Sequence, residues 1–209
     1  MKCPKRGLTC PLMASRALTT WRNTRSERLD ELLHAHQSVG GPSRGRRWRT
    51  ATLNEALLLR LAAEFQGFAR DLHEQTCDTF AAWITPSDPT VQQVVRKQLA
   101  NGRQLERGNA NPVSIGSDFG RFGFDVWPTL LKRDPLTERH QRTLRLLNDA
   151  RNGIAHADEA KLLRLRAEGF PLVLGTYRRW RRDLDDLTAN LDGEIAAQLG
   201  RLFQRQSPW

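Results

Sequence analysis

Residues 52–83 read TLNEALLLRLAAEFQGFARDLHEQTCDTFAAW. Thr52 and Glu55 have the spacing of a capping box, in which two side chains satisfy free backbone amides at the start of a helix. Apolar side chains then recur every three or four residues as far as Trp83, which places them on one helix face. The stretch therefore predicts a helix of about thirty residues that forms the central column of the fold.

Helical periodicity also marks the chain on both sides of this column. We expect further helices over about Ser26–Gln37, from Val91 to near Asn101, from Thr137 to near His156, over Asp158–Ala167 and over Tyr177–Phe203. Residues 106–118 are rich in Asn, Gly, Ser and Pro, which favours a loop, and Ser117 or Asp118 is expected to cap a short helix. Residues 169–175 look extended, but they are too isolated to predict a sheet.

These segments predict an all-α fold, namely a bundle of about five to six helices that are mostly antiparallel. The length of 209 residues suits one well-buried domain better than two small cores. We expect residues 1–23 to be a disordered basic leader, with Met13 as an alternative start. Residues 24–209 should then form a single helical domain.

The charge of the chain indicates its class of partner. A net charge of +10 and an isoelectric point near 10.6 favour an anionic partner. Nucleic acid is favoured over a membrane, because no long apolar span offers an anchor. The base composition of a genome would also produce an excess of arginine over lysine, so charge alone leaves the partner open.

Cysteine and histidine residues indicate neither a disulfide framework nor a metal site. Cys3, Cys10 and Cys77 are three widely spaced cysteines, which fits a reducing cytoplasm. Cys77 is interpreted as a small buried hydrophobe, because no histidine is expected close enough to activate its thiol. The histidines at positions 34, 36 and 73 are interpreted as exposed surface residues.

The candidate active site lies near the end of the helix that Thr137 opens, where residues 151–156 read RNGIAH. On a helix Asn152 and His156 share one face, and Arg151 lies about 100° round the axis with a side chain long enough to reach the same cleft. Gly153 costs a helix roughly 1 kcal/mol relative to alanine, so it either lies near a distortion or clears space for a group that approaches the backbone, unless the helix simply tolerates it. Alternatively, Arg151 caps or salt-bridges a neighbouring helix and His156 binds a carbonyl at the helix end, with Asp149 and Asp158 as available partners.

Arg151-Asn152-Gly153-Ile154-Ala155-His156 resembles the R-x4-H signature of the HEPN superfamily, in which a polar residue usually follows the arginine. Residues 53–72 resemble the long second helix of the RiboL-PSP and MAE-type HEPN groups, and residues 122–126 resemble the segment before their last core helices. The resemblance covers residues 24–205 and implies an HEPN-like helical bundle. It also implies a homodimer in which two R-x4-H motifs face one composite cleft.

The resemblance implies a metal-independent endoribonuclease without cofactors that leaves 2′,3′-cyclic phosphate and 5′-hydroxyl ends. RNA supplies its own 2′-hydroxyl nucleophile, so the reaction needs a base and positive charge near the phosphorane. We assign His156 as base or proton shuttle, Arg151 as phosphate clamp and Asn152 as an orienting hydrogen-bond partner. Such proteins serve as toxins of toxin–antitoxin pairs or as antiviral effectors, so an antitoxin protein is a candidate partner.

Two other function classes compete with this hypothesis. A non-catalytic HEPN-like module would use the same cleft to bind RNA, a nucleotide or a protein. A DNA-binding regulator is less favoured, because no recognition helix with helix-turn-helix spacing is present.

Further arginines are candidate RNA contacts. Residues 43–49 combine phosphate-binding guanidinium groups with an indole that could stack on a base, contributed by Arg44, Arg46, Arg47, Trp48 and Arg49. A solvated turn with the indole tucked against the bundle is the alternative. Arg142 and Arg145 follow Arg139 at intervals of three and form a basic ridge, or an ordinary solvated face. The run at 178–182 is expected to be neutralised at i and i+4 by Asp183, Asp185 and Asp186.

Overall fold

A computed structural model describes residues 13–40, 47–206 and 208–209, and for residues 40 and 47–49 it describes the backbone alone. The described residues contain helices and no strand, which confirms the predicted all-α class. None of these helices combines the length and the apolar composition needed to cross a bilayer. The helices are α1 (Arg16–Thr20), α2 (Ser26–Gly40), α3 (Arg47–Ile84), α4 (Pro89–Ala100), α5 (Gln104–Arg107), α6 (Pro112–Gly120), α7 (Val126–Arg133), α8 (Thr137–Ala155), α9 (Glu159–Ala167) and α10 (Leu174–Phe203), with a π-helical turn, Trp21–Arg25, between α1 and α2.

The central column is α3, which packs against α1, α2, α4, α8 and α10. It buries a continuous apolar face, because the interval between its large side chains matches the helical repeat. The helix begins at Arg47, five residues before the expected cap at Thr52, since neither glycine nor proline interrupts residues 47–52. The face comprises Leu57, Leu58, Leu61, Phe65, Phe68 and Leu72.

Helices α8 and α10 run antiparallel beside this column. Arg133 contacts Glu194 at 3.3 Å near the start of α8, whereas Arg139 contacts Asp183 farther along, so residue numbers rise in one helix as they fall in the other. Helix α10 buries Trp180 and a row of leucines against α3 and α8. This packing brings the carboxyl end of α8 beside the middle of α3.

The segment before α2 differs from the predicted disordered leader. Ser15 caps α1 by accepting a hydrogen bond from the backbone amide of Leu18 at 3.0 Å. Trp21 is only 1% exposed, and its ring lies edge-on to Phe65 and Phe68 at centroid distances of 6.2 and 5.9 Å. The leader prediction is therefore wrong from residue 16 onward, because buried side chains tie this segment to α3. Residues 1–12 lie outside the described part of the chain.

Two helices, α5 and α6, occupy most of residues 104–120, although residues 106–118 were expected to form a loop. Asn111 caps α6 by accepting from the amide of Ser114 at 2.9 Å, and Pro112 occupies the first helical position. Asp118 is a capping residue, but it caps α5 rather than its own helix: its two carboxylate oxygens accept from the amides of Gln104 and Leu105, both at 2.8 Å. The described residues therefore form ten α-helices, several of them short, rather than the expected five or six.

The three histidines interpreted as exposed differ from one another. His34 is exposed, as expected. His36 is buried, with its Nε2 atom 2.8 Å from Oδ1 of Asn54. His73 is fully buried on α3, where its ring contacts Phe119 and Phe122. The surface interpretation of His36 and the solvated-face interpretation of His73 are wrong. His36 of α2 packs against Asn54 of α3, and His73 of α3 packs against Phe119 of α6.

The atoms around the His73 ring determine which of its nitrogens carries the proton. Nε2 lies 3.3 Å from the carbonyl oxygen of Asp118, so this nitrogen must carry the proton and donate. Nδ1 is then the acceptor facing Nη1 of Arg103 at 3.4 Å and the Cys77 sulfur at 3.6 Å. Burial, together with the nearby Arg103 charge, lowers the pKa of His73 to about 4.

A histidine does therefore lie beside Cys77, contrary to the sequence interpretation. Burial raises the pKa of the Cys77 thiol to about 12, so the thiol stays protonated and can donate to His73. Cys77 remains a buried, unreactive side chain, as its sequence context predicted. The cluster serves to connect α3 with the start of α5 and the end of α6.

The buried neutral His73 predicts a loss of stability in mild acid. Its pKa in the folded state, about 4, lies below the value near 6.5 of an unfolded chain, so the unfolded state binds the proton more readily. The contribution is complete above pH 6.5 and is lost as the pH falls toward 4. Between about pH 6.5 and pH 5 we expect the free energy of unfolding to fall by about 2 kcal/mol on account of this group.

Urea unfolding followed by circular dichroism at about pH 7 and pH 5 measures the effect. The His73→Gln variant keeps a hydrogen-bond donor and an acceptor but cannot titrate. Between pH 7 and pH 5 its free energy of unfolding should therefore fall by about 2 kcal/mol less than that of the unmodified protein. Equal changes in the two proteins would show that His73 ionises normally in the folded state.

Candidate active site

The motif spans the turn between α8 and α9. His156 is the residue that ends α8, and the chain reverses through Ala157, whose φ of 50° lies in the left-handed region. The amide of Asp158 donates to the carbonyl of Gly153 at 2.8 Å, and the amide of Ala157 donates to the carbonyl of Ile154 at 3.3 Å. This pair of hydrogen bonds is the Schellman pattern, which usually has glycine where Ala157 stands.

Gly153 is needed for close packing of α8 against α9. A Cβ atom at this position would lie 2.5 Å from Cδ2 of Leu162, so the space beside Gly153 is already occupied by the following helix. Gly153 is buried, and Leu162 packs against the core. The expectation that Gly153 clears space for an approaching external group is therefore replaced by an internal role.

Arg151 lines a cleft of about 540 Å³ between α3 and the segment that contains α5. On the α3 side the cleft is lined by residues between Leu59 and Arg70, and opposite them lie residues 106–109. Arg70 and Arg107 line the same cleft, so three arginine residues contribute to its walls. A cleft of this volume is large enough for a nucleotide-sized ligand.

Side-chain amides hold the wall of the cleft opposite α3. Nε2 of Gln66 donates to the carbonyls of Leu105 at 2.6 Å and Gly108 at 2.8 Å, and its Oε1 accepts a short hydrogen bond from the amide of Ala110. Nδ2 of Asn148, on α8, also donates to the carbonyl of Ala110 at 2.9 Å. Residues 105–110 are thus fixed to both α3 and α8.

Asn152 contacts Arg151 directly. Its Oδ1 atom accepts from Nη1 of Arg151 and from Nδ2 of Asn109, both at 2.9 Å. Arg151 forms no ion pair within the described residues, so the alternative in which Asp149 or Asp158 neutralises it does not hold there. Asp158 instead caps α9 by accepting from the amide of Lys161 at 3.0 Å.

The cleft carries net positive charge. Glu106 is the acidic residue among those that line it, and Arg103 donates to its Oε1 from Nε, at 2.9 Å, and from Nη2. The hydrogen bond from Arg103 lowers the pKa of Glu106, so the carboxylate stays charged. Nε of Arg70 donates to the carbonyl of Leu105 at 2.8 Å and lies 3.8 Å from Oε1 of Glu106, whereas the terminal nitrogens of Arg70 have no hydrogen-bond partner among the described residues.

His156 stands apart from this cleft. Its side chain is exposed and is not among the residues that line the cleft, and its ring has no hydrogen-bond partner within the described residues. One protomer therefore brings Arg151 and Asn152 together with Arg70 and Arg107, but it leaves His156 outside. The shared cleft that the motif spacing predicted is only partly formed in a single chain.

The predicted RNA contacts have mixed outcomes. Arg44 and Arg46 lie outside the described residues, whereas Arg47, Trp48 and Arg49 form the first turn of α3 rather than a loop. The side chains of that turn are likewise outside the described part of the structure. Arg142 and Arg145 are exposed on α8, as a basic ridge requires.

The expected pairing along α10 is wrong. Asp183 binds Arg139 and the hydroxyl of Thr143 on α8 instead of an arginine of its own helix. Arg181 binds Asp30 of α2 at 2.6 Å. Partners from other helices replace the weak i and i+4 pairs. A buried carboxylate is stabilised more by a partner that packing holds in place than by an exposed arginine of its own helix.

Sequence reasoning did not identify Arg70 and Arg107 as site residues. They lie 37 positions apart in the sequence, and they line one cleft because Gln66 and Asn148 hold residues 105–110 against α3 and α8. Among the described residues, no group of three or more His, Cys, Asp or Glu side chains is placed to hold a metal ion. Comparison of the chain with protein-family models, curated proteins and solved structures gave no match.

The close packing of Leu162 on Gly153 predicts that the effect of Gly153→Ala on stability depends on Leu162. We expect Gly153→Ala to lower the free energy of unfolding by about 1 kcal/mol or more, because the new methyl group would overlap Leu162. In the Leu162→Ala variant, Gly153→Ala should instead raise the free energy of unfolding by up to about 1 kcal/mol. The overlap is then absent, and only the higher helix propensity of alanine affects stability. Urea unfolding of the four proteins gives this double-mutant cycle. An equal effect in both backgrounds would show that Leu162 does not restrict Gly153.

Proposed function

We propose that the chain is an HEPN-type endoribonuclease that cleaves RNA by attack of the 2′-hydroxyl on the adjacent phosphate, without a metal ion. The supporting observation is the cleft in which Arg151 of the R-x4-H motif lies with Arg70 and Arg107. Permanently charged guanidinium groups suit a phosphodiester, because they stabilise the charge that develops on its oxygens. The resemblance of residues 151–156 to the HEPN signature supplies the reaction class.

In this proposal Arg151 binds the scissile phosphate and stabilises the phosphorane. Asn152 holds Arg151 by accepting from its Nη1 atom, which leaves the other guanidinium nitrogens for phosphate oxygens. Arg70 on the α3 wall and Arg107 on the wall opposite it add further positive charge. His156 removes the proton of the 2′-hydroxyl or protonates the leaving 5′-oxygen.

The position of His156 supports a composite site in a homodimer. The ring is exposed and lies outside the cleft of its own chain, so it is free to face the cleft of a second copy. A two-fold axis would place both motifs in one interface and supply two histidines. One could then act as base and the other as acid, as the resemblance implies.

The same observation favours a second candidate function. A cleft with three arginines and no histidine can bind a phosphate without cleaving it. The chain would then be a non-catalytic HEPN-like module that binds RNA, a nucleotide or a protein. A toxin paired with an antitoxin, or an antiviral effector, is the cellular role that we propose for the catalytic form.

Cleavage of RNA in EDTA by the purified protein tests the proposal. We expect Arg151→Ala and His156→Ala each to lower the rate by about 100-fold or more, because a charge-stabilising and a proton-transferring group are lost. Arg107→Ala should lower it by about tenfold, since it removes charge farther from the motif. Circular dichroism and gel filtration should show an unchanged fold and oligomeric state.

Arg164→Ala is the matched control, because it removes an exposed arginine from α9 and should cleave as the unmodified protein does. Full cleavage by both the Arg151 and the His156 variants would contradict the proposed site. RNA binding that depends on Arg151, without cleavage by the unmodified protein, would favour the non-catalytic module.

A further inference from the structure

A second group of arginines lies on the surface formed by α8 and α10. Arg142 and Arg145 are exposed on α8, and Arg179 and Arg182 are exposed on α10. In each helix the two are three residues apart and therefore lie on one face. These four residues are called the arginine row below.

Phe170 joins the two halves of the row. The guanidinium carbon of Arg142 lies 5.4 Å from the centroid of the Phe170 ring, and that of Arg179 lies 5.2 Å from it. The ring is itself held by Trp180, at a centroid distance of 6.0 Å. Two like charges are thus held close together by one aromatic side chain.

No carboxylate of the described residues neutralises the row. None of its four arginines forms an ion pair there, although Asp149 and Asp186 are exposed on the same two helices. Asp183, the buried carboxylate between these helices, is already bound by Arg139 and Thr143. By contrast, Arg25 and Arg60 both bind Glu64 at 2.7 Å. The charge of the row is therefore uncompensated within the described residues, unlike that of the arginines around Glu64.

The geometry points to the arginine row as a docking surface for the phosphodiester backbone of single-stranded RNA, separate from the cleft that Arg151 lines. This inference rests on the proposed function for its choice of RNA. Guanidinium groups bind phosphates through paired N–H donors, and those stacked on a ring keep their edges free for such contacts. A row along two antiparallel helices fits a linear chain of phosphates.

The arginine row and Arg151 do not lie on the same face of α8. Arg142 and Arg151 are nine residues apart, which is two and a half helical turns and roughly 13 Å along α8. They therefore lie on opposite sides of the helix. RNA bound at the row would be held by phosphates several nucleotides away from the scissile one.

Binding of a 2′-O-methyl oligonucleotide, measured by fluorescence anisotropy over a range of salt concentrations, tests the docking surface. Because this RNA cannot be cut, the result does not depend on whether the protein is a nuclease. We expect the Arg142→Gln/Arg179→Gln variant to bind about tenfold more weakly, with the slope of log affinity against log salt reduced by about 1.4. A single-stranded DNA of equal length should compete at this surface, because phosphate contacts do not read the sugar.

Arg205→Gln is the matched control. Arg205 also lies over an aromatic ring, at 4.9 Å from the Trp83 centroid, but it follows the other end of α10. It should bind RNA as the unmodified protein does. If the double variant does not fold, Arg145→Gln/Arg182→Gln carries the same prediction, because the guanidinium groups over the Phe170 ring, those of Arg142 and Arg179, are then kept.

Three results would overturn the inference. One is unchanged RNA affinity in the folded double variant, and another is an equal loss in Arg205→Gln. The third is a double variant that binds RNA as before but no longer binds phosphatidylcholine vesicles that contain phosphatidylserine. That result would show that the row binds a membrane surface. Absence of RNA cleavage by the unmodified protein would contradict the proposed function and leave the docking result standing.

Discussion

The side chain of Gln66 lies at the centre of α3 and makes three hydrogen bonds to the backbone of residues 105–110, two of them to the carbonyls of Leu105 and Gly108. This segment has no strand or long helix to fix it, and Gln66 supplies the backbone partners that such elements would provide. The wall that carries Arg107 therefore faces Arg70 and Arg151 across a defined cleft. Loss of the Gln66 amide would remove the side-chain partner of the Gly108 carbonyl and of the Ala110 amide and leave the Leu105 carbonyl with Arg70 alone, which would loosen the wall that carries Arg107.

The excess of arginine has two distinct uses in the structure. Some arginines bind carboxylates that are almost completely buried, as Arg25 and Arg60 do with Glu64. Others, including Arg151 and the arginine row, have no acidic partner among the described residues. Net charge alone could not distinguish these groups. The unpaired arginines are the ones expected to attract an anionic polymer, because paired charges produce little field at a distance.

The long helices were predictable because each buries one stripe of its own sequence. The apolar repeats of α3, α8 and α10 are local, so periodicity located them to within a few residues. The short helices depend on distant residues instead: α5 is capped by Asp118, and the segment before α2 is held by burial of Trp21 against α3. The predicted exposure of His73 was wrong for the same reason, since its partners come from α5 and α6.

The candidate site shows the same division between local and tertiary information. The sequence identified Arg151 and Asn152, whose contact is between neighbours on one helix. It could not identify Arg70 and Arg107, because their approach depends on the fold of residues 105–110. His156 lies outside the cleft of its own chain, and its proposed use requires a second copy.

The chemistry of the product ends tests the central claim most directly. RNA incubated with the purified protein in EDTA should yield fragments with 2′,3′-cyclic phosphate and 5′-hydroxyl ends, and RNA with 2′-O-methyl groups should remain intact. Fragments with 3′-hydroxyl and 5′-phosphate ends, or equal cutting of the methylated RNA, would contradict attack by the 2′-hydroxyl.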